Sequence, residues 1–265
     1  MAARHLKLHS SSRGKASISA LALATLALAA LAPPASAQVE QRFDVRLKGA
    51  KSWGAYTLSF LSSSYDTDGA ATPATESIKL RFPAGVSIRR QFLNDDFLCD
   101  YDALNESRDP NDCRRSRIGT GTMEIDLQPL FDQVVPGKVY LFLSKGAKRG
   151  AVASVLVLVV PDSTASIVKQ YPFVADIRPL VRTTLAVDRR GTYGYRQDLE
   201  VADSMSVTKF DWELSGLRTR KRGKKLFWLT RPSCPGSRKV GFEATYSYAG
   251  GQRLTRADSL PCSKF

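Results

Sequence analysis

The sequence predicts an all-β fold, an immunoglobulin-like or related β-sandwich built as one large lobe or two tandem lobes with local disulfides. Three observations predict it. Apolar and polar residues alternate over many short stretches, and turn-forming residues separate these stretches at roughly ten-residue spacing. Four cysteines, an even number, stand at spacings that suit disulfides better than metal.

The first 37 residues stand apart from that fold. Arg4, Lys7, Arg13 and Lys15 precede an apolar run from Ile18 to Ala32, and Pro33-Pro34 then leads into Ala35-Ser36-Ala37. This is the order of a secretory signal, with cleavage predicted before Gln38. The competing reading is a membrane anchor, but the apolar run is short of the roughly 20 residues a span needs. No cysteine follows the small-residue site to carry a lipid. The remaining 228 residues carry 35 Lys and Arg against 25 acidic residues, a net charge of +10 that favours solubility and a weak attraction to polyanions.

Strand signals then follow in order. Phe43, Val45 and Leu47 alternate with polar residues, as do Tyr56, Leu58 and Phe60, then Ile78, Leu80 and Phe82. The breakers Tyr65-Asp66-Thr67-Asp68-Gly69 and Pro83-Ala84-Gly85 flank the third. Residues 119–127 alternate again. Val139–Leu143 and Val152–Val160 are continuous apolar runs, expected as a hairpin covered on both faces. Further strands are expected at 181–187, 193–201, 208–214, 226–229 and 240–248. Tyr101–Ser107, stopped by Asp109-Pro110, is the one stretch suited to a short helix. Residues 161–172 read as a linker, which divides the chain into a leader at 1–37, a lobe at 38–162 and a lobe at 167–265.

Cys99, Cys113, Cys234 and Cys262 allow three connectivities. Cys99 with Cys113 and Cys234 with Cys262 is favoured, because each pair closes a local loop worth roughly 3 kcal/mol. Four thiolates on one metal is the rival, and neither pair has zinc-knuckle spacing. Both histidines, His5 and His9, lie in the leader. The rest of the chain therefore has no imidazole for a Ser-His-Asp triad, a Cys-His pair or most catalytic zinc sites.

The sharpest functional candidate is the basic run Arg218, Arg220, Lys221, Arg222, Lys224 and Lys225, six cations within eight residues. Set at a hairpin tip, it could hold phosphate or sulfate groups of an anionic wall polymer or envelope surface. The plainer reading is a solvated loop that keeps a strand edge from aggregating. A nucleic acid is not the partner expected of an exported chain. Asp95, Asp96, Asp100, Asp102, Glu106, Asp109 and Asp112 suggest a cation loop, as does the Asp66-Thr67-Asp68-Gly69 turn. Neither has the alternating ligands of an EF-hand, and ion pairing with the arginines at 89, 90, 108, 114, 115 and 117 explains the first.

Other motifs are weaker. Ser166–Lys169 and Ser206–Lys209 match Ser-x-x-Lys without the partner motifs of the serine acyl-enzymes. Gly119-Thr120-Gly121 reads as a strand start, not as a dinucleotide loop. Trp53, Trp212 and Trp228 suit a sugar platform or, more commonly, a core. Asn105-Glu106-Ser107 is a glycosylation sequon.

Phe82-Pro83-Ala84-Gly85-Val86, the Cys99–Cys113 segment, Ser116–Thr122, Val139–Phe142, Thr230–Pro235 and Leu260-Pro261-Cys262 occur in that order over most of the chain. Together they resemble a group of uncharacterised secreted β-rich proteins of high-GC Gram-positive bacteria. The resemblance implies an extracellular β-rich fold with local disulfides, and it carries over neither a function nor a catalytic residue. The expectation is a secreted or envelope-associated, non-enzymatic binding or structural protein without cofactor or metal. An extracellular glycan hydrolase acting through two carboxylates is the alternative.

Overall fold

The computed structural model describes residues 39–48, 57–66, 73–126, 134–188, 193–201, 206–214, 218–221 and 224–264. The expected leader, Trp53, residues 67–69 of the acidic turn and Arg222 lie outside them. The described residues form the strands β1 (Val39–Lys48), β2 (Thr57–Asp66), β3 (Thr75–Pro83), β4 (Arg117–Asp126), β5 (Val134–Ser144) and β6 (Ala151–Pro161). They continue with β7 (Leu180–Val187), β8 (Tyr193–Glu200), β9 (Ser206–Leu214), β10 (Arg218–Lys221), β11 (Lys224–Phe227), β12 (Lys239–Tyr248) and β13 (Arg253–Pro261).

Eleven strands make one sheet, in the order β1-β2-β9-β4-β5-β6-β7-β8-β3-β12-β13, and every neighbouring pair is antiparallel. Strands from the two sides of the expected 162–167 boundary are therefore interleaved. β9 lies between β2 and β4, and β3 lies between β8 and β12. Of the two arrangements expected, the single large lobe is the one formed. The segment read as a linker is not one. It holds a short helix, Ser166–Gln170, and a 3-10 turn, Pro172–Asp176, whose Ile167, Val168 and Val174 pack against Val135 of β5.

The period of two explains the core. Phe43 and Val45 of β1, Leu58 and Phe60 of β2, Ile78, Leu80 and Phe82 of β3, and Phe242 of β12 all turn inward. Phe60 meets Phe82 at 6.0 Å and Phe242 at 5.9 Å between ring centres, both edge to face. Gly121 makes room in this layer, because a Cβ there would collide with the Asp211 carbonyl and Trp212. Two interior voids, lined in part by Trp212 and Gln197, have volumes of about 10 Å³ each. Each has room for about one water, so the interior is packed core and not a ligand cavity.

The first and last strands of the sheet order meet. The Val45 N–H donates to the Asp258 carboxylate at 2.7 Å, and Arg256 Nε donates to the Gln41 carbonyl at 2.8 Å. The sheet thus curls until its edges are joined by side chains.

The expected hairpin of continuous apolar runs is β5 and β6, and both its faces are covered. Inside lies the main core. Outside, the α1 helix (Tyr101–Ser107) sets Leu104 onto Phe142, Leu156 and Leu158, beneath the Cys99–Cys113 bridge. Asp100 starts α1 by accepting the Ala103 N–H at 3.1 Å. Arg108, in the left-handed region at φ 52°, ends it just before the expected Asp109-Pro110 stop. Cys234 pairs with Cys262, so both local disulfides form. No helix among the described residues is long and apolar enough to cross a membrane.

Candidate functional site

The basic run is not the tip of a hairpin, as expected, but the hairpin itself. β10 and β11 form a separate two-stranded antiparallel ribbon. Its register sets Arg220 opposite Lys225 and Lys221 opposite Lys224, with Arg218 opposite Phe227 and Thr219 opposite Leu226. Residues 222 and 223, between the two strands in sequence, lie outside the described residues. Like charges directly opposite in a ladder destabilise it by roughly 0.2–1 kcal/mol per pair. The register sets like-charged residues opposite one another on two successive rungs of this ribbon.

The base of the ribbon is firmly fixed. Phe227, Trp228 and Leu229 are all buried. The chain then pairs with the segment after β3. The Arg89 N–H donates to the Trp228 carbonyl at 2.9 Å, Thr230 N–H to the Ser87 carbonyl at 2.7 Å, and Ser233 N–H to the Ala84 carbonyl at 2.7 Å. Arg89 Nε also donates to the Phe227 carbonyl at 3.0 Å. Gly85 permits this approach at φ +82°, since a Cβ there would strike Ser233. The Cys234–Cys262 bridge closes the arrangement against the end of β13. Four rungs, roughly 13 Å of strand at about 3.3 Å per residue, thus stand on a rigid foundation.

The remaining candidates resolve into structure. The acidic cluster between Asp95 and Asp112 is dispersed, and three of its carboxylates hold polar partners within the fold. Asp100 caps α1, Asp109 accepts the Asn111 N–H at 2.8 Å, and Asp95 pairs with Lys145 at 2.9 Å. Among the described residues no ion pair joins these carboxylates to the neighbouring arginines. Arg117 lies instead over the Tyr140 and Phe142 rings, and Arg108 donates to Asn105 and to the Arg178 carbonyl. No group of three or more metal-ligating side chains converges among the described residues. Of the two Ser-x-x-Lys matches, one lies on the Ser166–Gln170 helix, and the other lies on β9 with Lys209 paired to Glu124 at 3.0 Å. Trp212 and Trp228 are core.

One cluster escaped the sequence. Asp188 and Glu243, 55 residues apart in the chain, converge on Arg81. Its Nε donates to Asp188 at 2.9 Å, its Nη1 donates to Glu243, and its guanidinium stands 5.6 Å from the Tyr193 ring. Tyr193 also donates to Glu243 at 3.3 Å. The only signal was parity. Arg81 and Glu243 are outward positions on strands whose pairing sets them opposite, and no sequence rule gives that pairing. A glycosidase needs two carboxylates separated by the scissile bond; these two are separated by a guanidinium.

Comparisons with protein-family models, curated proteins and solved structures found no match to this chain.

Proposed function

We propose that this is an exported, envelope-associated binding protein that holds an anionic polymer along the basic β10–β11 ribbon. The observation that carries the reading is the register, with Arg220 opposite Lys225 and Lys221 opposite Lys224. Like charges set opposite one another favour a counter-charge, and phosphate, sulfate or carboxylate groups laid along the ribbon supply it. The fixed base at Phe227 and Trp228 adds to the case, because a preformed site loses less conformational entropy on binding. Export is supported by the leader pattern of residues 1–37 and by the two disulfides, which belong to oxidising compartments. The hydrolase reading has less support, since the carboxylates the fold brings near one another are ion-paired, Asp188 and Glu243 to Arg81, Asp198 to Arg196 and Lys79, and Glu200 to Lys148.

The test is retention on isolated cell envelope at low and high salt. The comparison protein has Arg218, Arg220, Lys221, Arg222, Lys224 and Lys225 changed to Gln. Salt-sensitive retention that this variant loses supports the reading, and equal retention of both proteins rejects it.

A further inference from the structure

A groove of about 540 Å³ lies on the outer face of the sheet, on strands other than those of the ribbon. Its size is that of a small-molecule site, which is typically about 300–1,000 Å³. The register explains why it is there. Lys79 of β3 lies opposite Asp198 of β8, which lies opposite Thr184 of β7. On the next outward row stand Arg81, Arg196 and Ala186, and Ala186 faces Ala151 of β6. Long charged side chains on β3 and β8 therefore stand beside small residues on β6 and β7, which leaves a depression.

Lys148, Arg149 and Gly150, from the turn between β5 and β6, form one wall of it. Gly150 reverses the chain at φ +84°. Ala147 N–H donates to Ser154 Oγ at 3.2 Å, and Arg182 Nη2 donates to the Lys145 carbonyl at 3.0 Å. Lys148 reaches across to Glu200 at 3.2 Å.

The lining carries Lys79, Lys148, Arg149 and Arg196 against Asp198 and Glu200, an excess of two positive charges. Asp198 orients two of the cations, Arg196 at 3.0 Å and Lys79 at 3.8 Å. Arg149 is exposed and makes no hydrogen bond or ion pair with the described residues. A bare oxyanion would meet the cations but also two repelling carboxylates. Those carboxylates are strong acceptors for hydroxyl groups.

We propose that this groove binds a small anionic saccharide, a ligand with one or two negative charges beside several hydroxyls. Arg149, Arg196 and Lys148 take the anion, and Asp198 and Glu200 accept from the hydroxyls. The proposal does not rest on the ribbon.

Calorimetric titration of the leader-free protein with glucose 6-phosphate and glucuronate tests it, with glucose and inorganic phosphate alongside. Two variants accompany it, Arg149→Ala and Ala186→Trp, with thermal melts to verify folding. The Arg149 change is at an exposed turn and keeps the test decisive should the tryptophan prevent folding. The expected result is saturable binding of at least one of the two anionic sugars, tighter than glucose or phosphate alone. Affinity falls at least tenfold in Arg149→Ala and vanishes in Ala186→Trp, and the six-Gln ribbon variant binds like the wild type. Tighter binding of a hyaluronan tetrasaccharide than of glucuronate assigns the groove to the repeat of a polymer. The reverse assigns it to a free sugar, and both support the proposal. It is overturned if neither anionic sugar binds saturably, if phosphate binds as tightly as the sugars, or if neither variant alters affinity.

Discussion

Asp258, on the last strand of the sheet, accepts the backbone N–H of Val45, on the first, at 2.7 Å. Ten antiparallel pairings in a row leave the two edges of this eleven-stranded sheet running in the same direction. No ladder joins them, so side chains make the closure. Asp258→Ala removes the charged acceptor from the Val45 N–H and is expected to destabilise the fold by about 1–3 kcal/mol, with Asp258→Asn recovering most of the loss. Urea denaturation measures both.

The outer cover of β5 and β6 gives a second expectation. Leu104 is fully buried between α1 and Phe142, Leu156 and Leu158. Leu104→Ala should cost about 2–5 kcal/mol. Replacing Cys99 and Cys113 by Ser should cost about 3 kcal/mol by freeing the loop that carries α1. Combined, the losses should fall short of their sum, because both changes loosen the same element. Equilibrium unfolding of the three variants checks this.

Alkaline stability tests the interior near the seam. Tyr246 and Tyr248 are buried beside Ser62, Ser64 and Gln41, and Tyr246 Oη lies 2.8 Å from Ser62 Oγ. Burial pushes both hydroxyls above the ordinary tyrosine value of 10.0. Above pH 10 the unfolded chain has released protons that the native state keeps, so stability is fully present below pH 10 and falls as the pH rises beyond it. Tyr246→Phe should cost about 1 kcal/mol at neutral pH and make the alkaline decline shallower. Parallel declines in denaturation series from pH 7 to about 11 would contradict this.

Every strand expected from alternation is present, because a one-sided strand writes its burial directly into a period of two. Val240, Phe242, Ala244, Tyr246 and Tyr248 mark β12 in this way. β13 was missed for the same reason. It is an edge strand, and Arg253, Thr255, Arg256 and Ala257 are all exposed, so its sequence shows no apolar face. Strand order was not legible either. Interleaving of β9 and β3 depends on which strands find each other across the interior, and alternation is silent on that. The same limit applies to the two sites. The cations of the ribbon were visible as a run, but their rung-by-rung opposition needed the register. The groove joins Lys79, Arg149 and Asp198 from three separate elements.

The most direct test of the polyanion account is the salt dependence of binding to a single-stranded polyphosphate or heparin chain. Each cation that displaces a counterion adds about 0.7 to the slope of log affinity against log salt. Two variants of equal net charge are compared with the wild type. One has the six ribbon cations changed to Gln. The other has the exposed Arg90, Arg114, Arg115, Lys138, Lys169 and Arg253 changed to Gln. The account predicts that the ribbon variant loses about 2–4 from the slope while the second variant keeps most of it. Equal losses in both would show that overall charge does the binding and would contradict a site on the ribbon.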